Sequence, residues 1–118
     1  MIEVVINEKK GFIRVSGHSN YAPIGQDIIC AGVTSLVNGM YLYFEDLRRK
    51  EIELKNNFIT KLKFNEKGTQ FECKYDTDNF SNIFIVSVFA KMFTQFYEYN
   101  EYVKINHTPL IENDKTKA

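Results

Sequence analysis

The chain has 118 residues, 44% of them hydrophobic and 25% charged, with 10 Phe and 7 Tyr; this fits one folded domain with a real core and excludes a disordered chain. A formal net charge of +0 excludes a global field drawing the protein to nucleic acid or an acidic membrane, but leaves room for a local basic patch. Two cysteines without a signal peptide argue against a secreted disulfide scaffold, and the longest apolar run, Ile83 to Ala90, is too short to span a bilayer. A reducing cytoplasm is the expected compartment, with neither nucleic acid nor membrane as partner.

Residues 2–6, Ile-Glu-Val-Val-Ile, are rich in β-branched side chains and predict a strand. Polar residues 7–11 end in Gly and form a credible hairpin connection to a returning strand at Phe12–Val15. The segment from Ser19 to Gln26 holds Pro23 and Gly25 and reads as an irregular loop. Asp27 suits the N-cap of a helix starting near Ile28, because its carboxylate can accept from the first-turn N–H groups. Apolar residues then recur at Ile29, Val33, Leu36, Met40, Phe44 and Leu47, in steps of three and four, which is helical periodicity. Gly32 and Gly39 each cost about 1 kcal/mol relative to Ala inside a helix, so both predict close packing against a neighbour. Arg48-Arg49-Lys50 suits the negative C-terminal end of this helix.

Three β-type segments follow: a weak one at Ile52–Leu54, then Phe58–Phe64 and Thr69–Tyr75, the last two joined by Asn65-Glu66-Lys67-Gly68. Apolar and polar residues alternate in these two strands, so one hairpin face is expected in the core and the other in water. Asp76-Thr77-Asp78 supplies a second N-cap cluster. Residues 80–98 are apolar almost all round, and a helix of that kind is covered on more than one face. In so small a chain a second subunit is the natural cover, so a homodimer is expected. A buried strand over 83–89 is the competing reading, against which the length of the run argues. Tyr102–Ile105 is a last short strand. The expectation is an α+β fold in β-β-α-β-β-α-β order, a mostly antiparallel sheet from two hairpins packed with two long helices. It occupies residues 1–107 as one domain, followed by a polar, flexible tail over 108–118.

Residues 17–35 hold the chemistry. With Asp27 as cap, Cys30 falls in the first helical turn, where the helix dipole favours a thiolate and free N–H groups can hold an oxyanion. His18, twelve positions earlier across the loop, can fold back as general base or as imidazolium partner. Asp27 can orient that imidazole, and Thr34 lies one turn beyond Cys30 on the same helix face. The competing reading is plain packing, since free Cys is among the most buried residue types. Cys73 alternates with Phe71 and Tyr75 and reads as core, and His107 carries no inference. Tyr21, Tyr41 and Tyr43 either pack in the core or line an apolar groove. Metal-ligand spacings of the C-x-x-C or H-x-x-x-H kind and a glycine-rich phosphate loop are missing, so neither cofactor nor metal is expected.

The run Gly17-His18-Ser19-x-Tyr21-Ala22-x-x-Gly25-x-Asp27-Ile28-Ile29-Cys30-Ala31 resembles the signature of the ribosomal-processing cysteine proteases, the Prp or YsxB-like family. The resemblance extends more weakly over the whole chain, to the Tyr99-x-x-Tyr102-Val103-Lys104-Ile105 ending. It implies Cys30 as nucleophile, His18 as general base and acid, and Asp27 as their support. Gly17, Tyr21 and Gly25 become candidate substrate-binding positions. Thr34 stands where the family commonly has Ser, and Gly32 where it commonly has Ala. The family fold is α+β and dimeric, with a His-to-Cys loop that moves to admit substrate. The resemblance implies removal of a short N-terminal extension from a large-subunit ribosomal protein, after an apolar stretch with paired Phe. Phage-associated members would cut a similar motif in capsid or scaffold proteins. Two other readings stay open: a non-catalytic ribosome- or assembly-associated binding module of the same fold, and another Cys–His hydrolase such as a thioesterase.

Overall fold

Alternation of buried and exposed residues sets the two faces of one sheet. The computed structural model describes residues 1–17, 24–54, 59–65 and 70–111. Its strands are β1 (Ile2–Asn7), β2 (Phe12–Ser16), β3 (Ile59–Asn65), β4 (Gln70–Tyr75) and β5 (Val103–Thr108). They lie in the order β3-β4-β2-β1-β5. Neighbours are antiparallel except β1 and β5, the chain's first and last strands, which run parallel. Ile2, Val4, Ile6, Ile13, Val15, Phe71, Cys73 and Tyr75 are buried on the inner face. The registers Val4↔Val15, Ile6↔Ile13 and Val15↔Phe71 set these side chains in rows across the strands. One step out of phase, Val5↔Arg14, Arg14↔Glu72 and Phe12↔Lys74 form the outer face.

Two helices close the inner face. In α1 (Ile24–Leu54), Ile29, Val33, Val37, Met40 and Phe44 are buried at steps of three and four. α2 (Phe80–Phe93) buries Asn82, Val86, Phe89, Ala90 and Phe93 and runs into a 3-10 helix at Thr94–Tyr99. Phe44 joins the layers: its ring lies 6.3 Å from Phe71 on β4 and 5.8 Å from Phe89 on α2. Each fully buried Phe of this kind contributes about 1.5–3 kcal/mol relative to an exposed one. The segment Ile28–Lys50 of α1 is long and apolar enough to cross a membrane by length and composition. Its buried side chains, however, are the seam against the sheet.

Several expectations are corrected. Residues 52–54 are the end of α1, not a strand; only Ile52 there is β-branched, and extending an existing helix costs far less than starting a strand. The helix starts at Ile24, not Ile28, so Asp27 is its fourth residue and not its cap. Of the expected loop over 19–26, residues 24–26 are the start of α1, and residues 19–23 lie outside the described residues. Arg48, Arg49 and Lys50 consequently fall short of the C-terminal turn, which holds no basic residue. Two of them instead make i,i+4 pairs, Arg49 with Glu45 at 2.7 Å and Lys50 with Asp46 at 2.8 Å. α2 is capped by Asn79, not by residues 76–78: its side chain accepts from the Asn82 N–H at 3.2 Å. Asp76 has a supporting part, its carbonyl accepting from Asn82 Nδ2 at 3.1 Å. Gly32 does meet a neighbour, since a Cβ there would sit 3.4 Å from the Phe96 ring, but Gly39 has nothing within 4 Å. β5 extends to Thr108, one residue past the expected domain end. The expected hairpin connection at 66–68 and the tail from 112 lie outside the described residues.

Candidate active site

Cys30 is placed by α1, whose neighbouring Ile29 and Val33 hold that end of the helix on the core. Its thiol is half-buried and packs against the apolar cluster, whereas Cys73, on the inner face of β4, is fully buried. The two free cysteines therefore differ in access, as the sequence reading of Cys73 requires. Starting the helix at Ile24 makes Cys30 its seventh residue, in the second turn and not the first. The free first-turn N–H groups thus belong to the turn before Cys30. Side chains on a helix lean toward its N-terminus, which directs residue 30 back over that turn. Thr34 follows on the same helix and is exposed.

The strand before the site ends on a residue that only glycine can occupy. Gly17 has φ +103, and a Cβ there would meet the Met1 carbonyl oxygen at 2.2 Å and Ile2 Cα at 3.1 Å. The chain thus leaves β2 at a fixed, left-handed angle immediately before His18. His18 and Tyr21 lie outside the described residues, as do the side chains of Gln26 and Asp27; Gly25 is part of the first helical turn.

Of the aromatic candidates on α1, Tyr43 packs against the core, and Tyr41 both packs on β3 and lines a groove. Tyr41 stacks on Phe64 with centroids 4.5 Å apart, and Tyr43 sets its edge against Phe44 and Phe89. Burial holds the Tyr43 phenol above its ordinary pKa. A hydrogen bond from Tyr41 draws the Glu45 carboxyl below its usual range. A groove of about 760 Å³ lies at the sheet end beside Ser16, Tyr41, Phe64 and Gln70, and Cys30 does not line it. Volume alone is therefore a poor guide to the chemistry here.

A second polar pair escaped sequence reading. His107 Nε2 lies 2.5 Å from Glu8 Oε2, and Glu8 is only 7% exposed. The two are 99 residues apart, and the parallel β1–β5 register that aligns His107 with Ile6 brings them together. Among the described residues, no cluster of His, Cys, Asp and Glu could hold a metal ion.

The half-buried thiol on α1 and the glycine-locked exit from β2 are the described parts of the motif over residues 17–31. The family model of the cysteine protease Prp matches residues 1–104, and the chain belongs to that family. The fold is similar to that of the Staphylococcus aureus ribosomal processing protease Prp, solved with a substrate peptide. That match has a TM-score of 0.61 and 22% identity over 91% of this chain and 97% of that one. The same enzyme with a covalently linked product peptide gives 0.60 at 22% identity, with the same coverage. SMU.848 from Streptococcus mutans gives 0.56 at 16% identity, over 92% of each chain. No curated protein matches the chain.

Proposed function

We propose that this protein is a cysteine endopeptidase that removes a short N-terminal extension from a large-subunit ribosomal protein. A similar motif in a phage capsid or scaffold protein is the corresponding substrate if the chain is phage-encoded. The family match over residues 1–104, which spans the His18-to-Cys30 pattern, carries this reading. The Prp structures solved with substrate and product peptides support a peptide substrate. Cleavage follows an apolar stretch with paired Phe.

In this mechanism His18 takes the thiol proton, and Cys30 Sγ attacks the scissile carbonyl carbon. First-turn N–H groups of α1, over which residue 30 leans, stabilise the oxyanion. The tetrahedral intermediate collapses as His18 gives its proton to the leaving amine, producing a thioester. Water, deprotonated by His18, then releases the acid and restores the thiol. Asp27 supports His18, while Gly17, Tyr21 and Gly25 shape the substrate path. Because Cys30 sits in the second turn, where the helix dipole has weakened, the imidazole carries more of the charge stabilisation than a first-turn cysteine would ask of it.

The enzyme works in the cytoplasm as a homodimer. The exposed apolar side of α2, with Phe80 77% and Phe84 63% accessible, supports a second copy as its cover. The test is a peptide with the apolar paired-Phe segment, followed by mass spectrometry. Wild type cuts once after the second Phe, and Cys30→Ala and His18→Ala leave the peptide intact. Cleavage by Cys30→Ala at the wild-type rate rejects the mechanism.

A further inference from the structure

The net charge of +0 conceals a separation of charge that folding creates. The strand registers put Arg14, Lys61, Lys63, Lys74 and Lys104 on the outer face of the sheet, spread over four of the five strands. Against them stand two carboxylates, Glu3 and Glu72, on the same face. Glu72 is already engaged twice, by Arg14 Nε at 3.2 Å and by Lys61 Nζ, and both cations hold its carboxyl below the usual range. Lys63, Lys74 and Lys104 are exposed and, among the described residues, make no ion pair. The described helices pack on the opposite face.

We propose that this outer face binds RNA through its phosphate backbone. The chemistry of the face selects the partner. Among the described strand residues its apolar side chains are the half-buried Val5 and Phe12, and the Arg14 guanidinium sits 5.3 Å over the Phe12 ring. A bilayer or a protein hot spot needs apolar anchors, which this face lacks and the α2 side supplies. Dispersed lysines are point charges that suit a flexible polyanion without base readout. The choice of RNA among polyanions rests on the proposed ribosomal substrate, which would be met on or near ribosomal RNA. The face then serves to hold the enzyme where its protein substrate is, while Cys30 acts from the helical layer.

The experiment is fluorescence anisotropy with a labelled single-stranded RNA of about twenty nucleotides, titrated between about 50 and 200 mM salt. Wild type should bind with an affinity that falls as salt rises. The Lys63→Gln, Lys74→Gln, Lys104→Gln triple variant should bind about tenfold more weakly at low salt, with a log–log salt slope shallower by about 2. Its melting temperature and its cleavage of the isolated peptide should match wild type. Absence of RNA binding by wild type, or equal binding by the triple variant, overturns the proposal. So does binding of polyglutamate or phosphatidylserine vesicles as tight as that of RNA, which would mark a protein or membrane partner. RNA binding without peptide cleavage rejects the proposed function and leaves this surface standing; cleavage without RNA binding does the reverse.

Discussion

The two faces of the sheet are built from the same strands and obey different rules. On the inner face Val4, Ile6, Ile13, Val15 and Phe71 are at most 2% exposed, and two helices lie on them. On the outer face Arg14 and Lys61 pair with Glu72, and Lys74 stands exposed beside them. Buried apolar area therefore holds the fold together, and the outer face can vary in charge at small cost. Function divides along the same line: the candidate thiol belongs to the packed layer and the proposed RNA surface to the open one.

The sharpest way to break this contrast is Phe44→Ala, which empties the junction of α1, β4 and α2. It should cost about 3–5 kcal/mol in urea unfolding, as large core truncations do. A smaller effect appears with alkali. Burial and the nearby Glu8 carboxylate raise the Tyr75 phenol above its ordinary value of 10.0. The folded state thus keeps a proton that the unfolded chain releases, so stability holds below pH 10 and falls as pH rises above it. Tyr75→Phe should flatten that alkaline loss in a pH series of melts and leave the neutral-pH value nearly unchanged. On the solvent side of α1, Gly39→Ala should raise stability by up to about 1 kcal/mol, because nothing lies within 4 Å of the new methyl. Smallest of all is Glu72→Gln on the outer face, expected to cost under about 1 kcal/mol at neutral pH. The Glu72 carboxyl is lowered in the folded state, so its contribution is present above the unfolded value and lost as pH falls through the folded one. The Glu72→Gln penalty should accordingly vanish in acid; a penalty that persists there would mean Glu72 acts by packing.

Local patterns foretold much of this arrangement. Alternation at Phe71, Cys73 and Tyr75 marked the inner face, and the steps from Ile29 through Val33 and Met40 to Phe44 marked the helix that covers it. Cys30 stood out by residue type and surrounding motif, and its half-exposure against the buried Cys73 keeps it the accessible thiol. What failed was punctuation. Gly25 read as loop and Ile52 as strand, yet all of 24–54 is one helix, because a long nucleated helix overrides single unfavourable residues. The α2 cap at Asn79 was masked by three equally good capping residues just before it. The outer charge surface could not be seen in a sum that cancels to zero, since it arises from strand order and register. The requirement for glycine at Gly17 was equally invisible, because it depends on the Met1 carbonyl lying against it in the folded sheet.

The parallel pairing of β1 with β5 bears on when this protein can mature. β1 is an interior strand, and its second neighbour, β5, is the last described strand in chain order. During synthesis the hairpin of β1 and β2 can form early, but the flank of β1 stays unpaired until residues 103–108 emerge. The Glu8–His107 contact spans 99 residues, so closing it is a late step, slowed by the entropy of a long loop. A nascent chain halted before residue 103 would carry an open β-edge beside a thiol-bearing helix. β5 is thus a timing device, setting the point in synthesis at which the described sheet can close.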